Sequence, residues 1–278
     1  MKVLTGPTVT VVAKSVFVPH GTYSVPNDGT DMERLGAFSA KGCYDSFGEN
    51  GRPCVDNQRE VIAHKHGSVL EHSYASLFIE GVSRALTLEM NRHRLLNISQ
   101  RSTRYTKEED AAIVLEPFYA QLWDKHNLRW EDDKLYMGSA RITAEDTEAL
   151  PIGLGLVSDF VLSSHKAVQA YVRQVHTMME WNPHNLSGFD LRKWARGKAR
   201  NILPHALETR VTYTANMRAW RWFIEARSDR HAEAEIRRLA ENVLVALKPL
   251  APIYFEDFHL TEITNDNIPE YKATYSKV

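Results

Sequence analysis

The stretch NRHRLLNISQRSTRY, residues 91–105, concentrates groups that bind anions. The triplet Arg92-His93-Arg94 is followed, after seven residues, by Ser102. Arginine forks bind phosphate and carboxylate oxygens through paired hydrogen bonds, and hydroxyl and backbone N–H groups complete such a cradle. The stretch therefore suits a phosphorylated small molecule, although composition alone leaves a solvated basic face about equally open.

The residues before this stretch predict a strand followed by a helix. Residues 73–80 alternate apolar and polar side chains, as a half-buried strand does. Residues 83–94 follow a helical spacing, and one face of that helix carries Ala85, Leu88, Arg92 and Leu95. Arg92 is therefore predicted to lie among apolar groups, where a cation needs a partner or a ligand.

A second basic region lies between residues 192 and 238, although the whole chain is nearly neutral. Residues 216–225 predict a helix, and one of its faces carries Asn216, Trp220, Phe223 and Arg227. Arg227 thus joins an apolar stripe, as Arg92 does. A ligand for Arg227 and an ion pair with a carboxylate such as Glu225 or Asp229 remain equally open.

Residues 66–72, HGSVLEH, precede the predicted strand and carry several polar side chains. Ser68 and Glu71 have the spacing of a helix capping box, which is the better local interpretation. The histidines and the glutamate do not follow a spacing typical of zinc sites, so no metal is predicted.

The rest of the chain predicts a helix-rich α+β fold with a mixed or antiparallel sheet in the first half. Strands are expected at 9–18 and 111–115, with 209–214 either extended or the start of a helix. Helices are expected at 31–44, where Asp31 is the predicted cap, and at 58–66, 151–181, 191–201 and 232–247. We expect a single domain, 1–278, with an insertion around 123–151.

Composition excludes several classes of protein. The chain has 278 residues, and a hydrophobic content of 43% disfavours a disordered chain. Its formal net charge of −1 provides no overall positive potential that would attract nucleic acid. It lacks a signal peptide and any apolar run of about 18 residues, so neither secretion nor a membrane span is expected. The two cysteines, Cys43 and Cys54, fit a reducing cytoplasm, and Cys54 is not expected to act as a nucleophile.

Four motifs, taken in order, resemble the flavin-dependent thymidylate synthases over about residues 31–258. The RHR triplet, seven residues and a serine are the family signature, and Arg104-Tyr105 follow it here as in the family. The upstream His-x-Ser/Thr-x-x-Glu-His element matches His66, Ser68, Glu71 and His72. The downstream elements match Ala199, Arg200, Leu203, Pro204, Asn216, Arg218, Arg227 and His231.

The resemblance implies the activity and the roles of the matching residues. It implies methylation of dUMP to dTMP with FAD as cofactor and with methylenetetrahydrofolate and NADPH as co-substrates. Arg227 is implied to be catalytic, because it polarises the uracil ring. The residues implied to bind dUMP are Glu89, Arg92, Gln100, Arg101, Ser102, Thr103, Arg104, Arg200 and Arg227. Those implied to bind FAD are His66, Ser68, Glu71, Arg92, His93, Arg94, Gln100, Asn216, Arg218, Trp222 and His231. A homotetramer with FAD at its subunit interfaces is implied too.

Four positions are set apart from the common family pattern, Glu89, Asn97, Gln100 and Trp222, and the first and last bear most on ligand binding. Glu89 stands where many relatives have a glutamine that touches the nucleotide, and its charge would repel a phosphorylated substrate. This favours a pairing of Glu89 with Arg92 or His93. Trp222 stands where relatives have asparagine or histidine near the flavin. Its indole cannot accept a hydrogen bond, but it can stack on an aromatic ring.

Two alternatives remain open at this point. A flavin enzyme of this kind could transfer a different one-carbon group to a uracil nucleotide, since Glu89 and Trp222 differ from the family pattern. A nucleic-acid-binding module would instead use the arginine clusters, with Tyr213, Trp220 and Trp222 as stacking surfaces. The second alternative predicts a basic chain, whereas the isoelectric point is about 6.9.

Overall fold

The computed structural model describes residues 1–108 and 111–278, which form two compact units. The first unit comprises Met1–Gly6, Gly81–Leu88 and Gln100–Arg210. The second comprises Pro7–Glu80, Glu89–Ser99 and Val211–Val278. Whether the chain is a single domain with an insertion is not tested by this division, and that expectation stays a prediction.

The helices of the described residues are α1 (Asp31–Gly42), α2 (Cys54–Ala63), α3 (Arg84–Met90), α4 (Pro117–Lys125), α5 (Ile152–Trp181), α6 (Gly188–Ala199), α7 (Met217–Arg227) and α8 (Ala234–Leu247). Short 3₁₀ helices span Gly67–His72, Thr147–Ala149, Arg200–Ile202 and Pro252–Phe255. The strands are β1 (Lys2–Leu4), β2 (Thr8–Lys14), β3 (Tyr74–Ser83), β4 (Asn97–Gln100), β5 (Ala112–Val114), β6 (Leu128–Glu131), β7 (Lys134–Met137), β8 (Ala140–Ile142), β9 (Glu208–Asn216), β10 (Phe258–Ile263) and β11 (Pro269–Ala273). No helix in these residues is both long and apolar enough to cross a membrane.

The first unit is organised around the 30-residue helix α5. The apolar stripe of this helix faces inward, with Val157, Val161 and Val168 almost completely buried. Asn182, with φ of 36°, ends the helix in the left-handed conformation. Strands β1 and β5 pair in parallel in this unit.

The region around 123–151, expected as an insertion, contains the antiparallel meander β6-β7-β8. One apolar side chain from each strand is buried against α5: Leu128, Leu135 and Ile142 form a cluster with Leu154 and Val157. The meander therefore has a hydrophobic core that includes part of α5.

The second unit places its core between a sheet and two helices. The residues of β2, β3, β9 and β4 that belong to this unit form a sheet in that order, and β2 pairs antiparallel with β3. Trp220 and Phe223 of α7 are fully buried. One apolar face of α8 is buried as well, through Ile236, Leu239, Val243 and Leu247.

The helix predicted at 83–94 is shorter, because α3 ends at Met90. The backbone N–H groups of Arg92 and His93 donate to the carbonyls of Glu89 and Met90, which forms a turn in place of further helix. Arg92 is exposed, so its predicted place on a buried apolar face is wrong. Leu86 and Met90 are the buried apolar side chains of this segment.

Both capping predictions are also wrong. Thr30, one residue before Asp31, caps α1, and with Glu33 it forms a complete capping box. Ser68 and Glu71 lie within the 3₁₀ helix Gly67–His72, whose first turn has no side-chain cap. The hairpin of β10 and β11 lies in the second half of the chain and was not predicted.

Candidate functional site

A cavity in the second unit brings together four residues from two distant segments of the sequence. Its volume is about 310 Å³, and its lining includes Glu71, Asn216, Arg218 and Trp222, all predicted to bind FAD. Asn216 caps α7, its side-chain oxygen accepting from the Ala219 N–H at 2.8 Å. Arg218 and Trp222 lie one turn apart on α7, so both side chains point to the same face.

The Arg218 guanidinium donates to the Glu71 carboxylate at 2.5 Å. Both side chains are partly exposed, at 41% and 45%, so they remain accessible to a ligand. The backbone of Gly67 closes in beside them: a Cβ there would lie 2.7 Å from Arg218 Nε and 2.6 Å from the Val278 carbonyl carbon. A glycine is therefore needed at this position for the lining to pack as it does.

The same cavity is lined by Lys277 and Val278, which the sequence analysis did not identify. The motifs of the resemblance end well before these residues. Their place beside Arg218 depends on contacts between positions more than fifty residues apart, such as the bond from the Lys277 N–H to Glu225. No local pattern in the sequence signals such a contact.

Arg227, at the end of α7, is held by two side chains of the second unit. Its Nε donates to His93 Nε2 at 2.8 Å, and its Nη1 donates to the Glu89 carboxylate at 3.2 Å. Glu89 therefore pairs with Arg227, and the predicted pairing with Arg92 or His93 is wrong. Arg227 retains 22% exposure of its side chain.

His93 lies in an apolar and cationic environment. Its ring packs edge-on against Phe223, with centroids 5.2 Å apart. Burial, together with the charge of Arg227, lowers the pKa of His93 to about 4. The ring is therefore neutral near pH 7, and its unprotonated Nε2 accepts the hydrogen bond that Arg227 donates.

The remaining residues predicted to bind FAD in this unit lie elsewhere. Arg92 and Arg94 are exposed in the turn after α3. His66 and Ser68 line a different cavity, of about 490 Å³, beside α1 and α2. His231 lines a polar cavity of about 480 Å³ together with Arg237.

The first unit contains the other predicted substrate residues, of which Arg101 is the most constrained. Its Nη2 donates to Glu108 at 2.8 Å and its Nη1 to Glu208 at 3.1 Å. Both carboxylates are buried. Burial raises the pKa of Glu108, and the neighbouring charge of Arg101 opposes this shift. Two structural partners thus occupy the terminal nitrogens of Arg101.

The other side chains predicted to bind the substrate differ in their hydrogen bonds and in their exposure. Gln100 donates to Thr87 at 3.0 Å and to Thr209 at 3.3 Å. Ser102 accepts from the Arg104 N–H at 3.4 Å. Thr103 is buried, whereas Arg104 and Arg200 are exposed.

Arg84 is a member of this basic group that the sequence analysis missed. Burial lowers the pKa of Arg84, the nearby Glu108 carboxylate opposes this shift, and the positive charges of Arg200 and Arg101 add to it. The first unit therefore concentrates cations whose mutual repulsion an anion would relieve. The only sequence signal for Arg84 was its position at the junction of a strand and a helix.

Two of the proposed stacking surfaces and one candidate nucleophile are buried. Tyr213 and Trp220 are about 1% and 0% exposed, so neither can stack on a nucleic acid base. Cys54 is fully buried, and burial together with the neighbouring Asp28 raises the pKa of its thiol to about 11. A thiol that stays protonated is a poor nucleophile. Within 1–108 and 111–278, no group of three or more His, Cys, Asp or Glu side chains is arranged to hold a metal.

The chain is similar in sequence to known proteins over most of its length. The family described as "thymidylate synthase complementing protein" matches residues 27–253. Proteins named "flavin-dependent thymidylate synthase" are 33% identical in Mycobacterium tuberculosis and 32% in Mycobacteroides abscessus, each over 260 residues. A protein of that name from Corynebacterium aurimucosum is 30% identical over 259 residues. Each alignment covers 92% of both chains.

Solved structures resemble the fold at lower sequence identity. The UMP/dUMP methylase PolB from Streptomyces cacaoi, bound with 5-Br UMP, aligns with a TM-score of 0.60 and 19% identity over 92% of this chain and 95% of that one. The same protein bound with 5-Br dUMP aligns with a TM-score of 0.58 and 19% identity, covering 92% and 96%. This likeness confirms the predicted α+β fold.

Proposed function

Because the chain belongs to the flavin-dependent thymidylate synthase family, we propose that it methylates dUMP to dTMP with a bound flavin. The observation that carries the proposal is the cavity that Glu71, Asn216, Arg218 and Trp222 line together. Glu71 belongs to one motif of the resemblance, and Asn216 and Arg218 belong to another.

The chemistry of this cavity fits part of an FAD molecule. Trp222 offers a 45% exposed aromatic surface on which a flavin or adenine ring can stack. Arg218 supplies cationic donors for phosphate oxygens, and Asn216 supplies an amide. A volume of about 310 Å³ is at the small end for ligand sites, so the cavity suits one end of a dinucleotide.

We propose methylenetetrahydrofolate as the carbon donor and NADPH as the reductant. A bound flavin reduced by NADPH would supply the hydride that converts the one-carbon unit, which replaces the hydrogen on carbon 5 of uracil, into a methyl group. The residues of the chain bind and orient the reactants and exclude water around them.

Arg227 is the proposed catalytic residue. Carbon 5 of uracil is a weak nucleophile, and a fixed guanidinium stabilises the negative charge that develops on the ring during attack. The bonds from Arg227 to His93 and Glu89 fix this guanidinium before substrate arrives. Because His93 is neutral, it orients the cation and leaves its charge in place.

The residues proposed to bind dUMP are Glu89, Arg92, Gln100, Arg101, Ser102, Thr103, Arg104, Arg200 and Arg227. Those proposed to bind FAD are His66, Ser68, Glu71, Arg92, His93, Arg94, Gln100, Asn216, Arg218, Trp222 and His231. Arg104 and Arg200 have the exposed guanidinium groups that a phosphate requires. Arg101 is the most restricted of these residues, since two glutamates hold its side chain.

We propose a single-domain subunit that works as a homotetramer in the cytoplasm. Exposed apolar side chains, among them Leu88, Leu95 and Ile98, support a subunit interface, because an isolated protomer would leave them in water. The two cysteines are both free, which supports a reducing compartment. The alternatives of a different one-carbon group and of a nucleic-acid-binding module are not favoured.

Purified protein tests the proposal through its visible absorption and its products. We expect the bands of an oxidised flavin, and dTMP when dUMP, methylenetetrahydrofolate and NADPH are added. Arg227→Ala is expected to lower dTMP formation at least about a hundredfold, as the loss of an electrostatic catalytic group does, and to retain the flavin bands. A protein that takes up no FAD and forms no dTMP would refute the proposal.

A further inference from the structure

The segment 274–278 is fixed against α7 by a buried ion pair. Arg221 of α7 donates to both oxygens of Asp257, at 2.7 and 3.0 Å, and both side chains are almost fully buried. The same Asp257 accepts from the Tyr275 N–H at 3.2 Å, and Arg221 donates to the Tyr275 carbonyl at 3.3 Å. The backbone at the start of the segment therefore has a defined position.

Glu225, one turn further along α7, fixes the next two residues. Its carboxylate accepts from the Ser276 hydroxyl and from the Lys277 N–H. Lys277 adopts φ of 62°, in the left-handed region that non-glycine residues seldom occupy. The bond to Glu225 stabilises this bend, after which Lys277 and Val278 reach the cavity lined by Arg218 and Trp222.

Two of the residues that line this cavity, Arg218 and Lys277, carry positive charges, and they differ in their ion pairing. Glu71 neutralises Arg218 through the 2.5 Å ion pair. The Lys277 ammonium group pairs with no carboxylate in the part of the chain that the structure describes, and Lys277 is exposed. An anion entering the cavity would find in Lys277 a cation that needs no prior rearrangement of an ion pair.

We propose that Lys277 binds a phosphate group of the flavin cofactor, an inference that rests on the proposed flavin-dependent function. The segment 274–278 lies outside the matched family region, residues 27–253, so this contact is additional to the motifs of the resemblance. Trp222, Arg218 and Lys277 then supply a stacking surface and two cations around one end of FAD.

Titration of flavin-free, full-length protein with FAD tests this inference, with flavin fluorescence as the readout. Lys277→Ala is expected to weaken FAD binding about tenfold, the size of one charge-assisted hydrogen bond. Lys277→Arg is expected to restore most of the affinity, because it retains the charge. Lys248→Ala removes an exposed lysine at the end of α8 and should bind FAD as the wild type does.

Each contrary result has its own meaning. Unchanged or tighter FAD binding by Lys277→Ala would overturn the inference, as would a loss that Lys277→Arg fails to restore. A weakened affinity for dUMP with unchanged affinity for FAD would assign Lys277 to the substrate phosphate and overturn it too. A wild-type protein that binds no FAD would overturn both this inference and the proposed function. Circular dichroism of every variant checks that it folds.

Discussion

The Nε–H group of Arg227 donates a hydrogen bond to the Nε2 atom of His93, which lies 2.8 Å away. This bond requires a neutral histidine, and the lowered pKa of His93 supplies it. The guanidinium proposed to act on the pyrimidine is thereby tethered on one side by an uncharged ring and on another by the Glu89 carboxylate. The two hydrogen bonds of Arg227, to His93 and to Glu89, can be tested separately.

Replacement of Glu89 by glutamine should strengthen substrate binding. The carboxylate repels an anionic nucleotide and partly neutralises Arg227, whereas the glutamine oxygen can still accept from Nη1 of Arg227. We expect the KM for dUMP to fall about threefold, corresponding to ~0.7 kcal/mol for a partly exposed ion pair, with kcat changed less. Steady-state kinetics measure both constants. Glu256→Gln, which alters an exposed pair with Arg59, is the matched control and should change neither. A higher KM for Glu89→Gln would contradict the role assigned to the charge.

The stability of the protein should fall as the pH is lowered through the titration of His93. Its pKa is lowered from 6.5 to about 4, so between these values the unfolded state binds more protons than the folded state. Stability therefore rises with pH across this window and is lost as the pH falls towards 4. Wild-type protein is expected to lose about 2–3 kcal/mol more than His93→Gln over the window, because each unit of pKa shift corresponds to ~1.4 kcal/mol. Urea unfolding above and within the window measures this difference. Equal losses in the two proteins would show that His93 does not titrate as described.

A methyl group at position 67 should disturb the cavity beside Arg218. The added Cβ would lie 2.7 Å from Arg218 Nε and 2.6 Å from the Val278 carbonyl carbon, closer than packed atoms tolerate. Gly67→Ala is expected to weaken FAD binding at least about fivefold, because the Arg218 side chain must move. Gly6→Ala, where no neighbouring atom lies within 4 Å of the new Cβ, should bind FAD normally. An unchanged affinity for Gly67→Ala would exclude this cavity as the flavin site.

The buried ion pair between Arg221 and Asp257 should contribute strongly to stability. Asp257→Ala leaves a buried guanidinium without its carboxylate, and we expect a loss of about 3–5 kcal/mol in the free energy of unfolding. Asp56→Ala removes an exposed partner of Arg59, and its expected loss is below about 1 kcal/mol. Chemical denaturation of both variants provides the comparison. Losses of similar size would mean that burial does not strengthen the Arg221 pair.

Long amphipathic helices were the part of the fold that the sequence predicted best. The predicted boundaries of α5 and α8 lie within two residues of the observed ones, because a long stripe of apolar side chains averages out local exceptions. The helix at 83–94 failed for the opposite reason. Its short stripe has helical spacing, but Leu88 and Leu95 remain 58% and 69% exposed, and spacing alone does not reveal which face the protein covers.

Within the candidate site, motifs identified individual side chains and tertiary structure decided their neighbours. The shared cavity of Glu71 and Arg218 depends on an ion pair between residues 147 positions apart. Arg227 was correctly singled out as a cation on an apolar stripe, but its partner Glu89 comes from 138 positions away. Lys277 was missed because its position results from the bonds between Glu225 and the segment 274–278.

Helix α7 uses nearly every direction around its axis. Trp220 and Phe223 fill the core, Arg221 and Glu225 hold the segment 274–278, and Arg218 and Trp222 line the cavity. Eleven residues therefore leave almost no position at which substitutions can accumulate neutrally. A saturation library over 217–227 should yield few functional variants, whereas exposed positions of α8 such as Val245 should accept most residues. Among natural relatives, the sequence of α7 is expected to change more slowly than the exposed positions of α8.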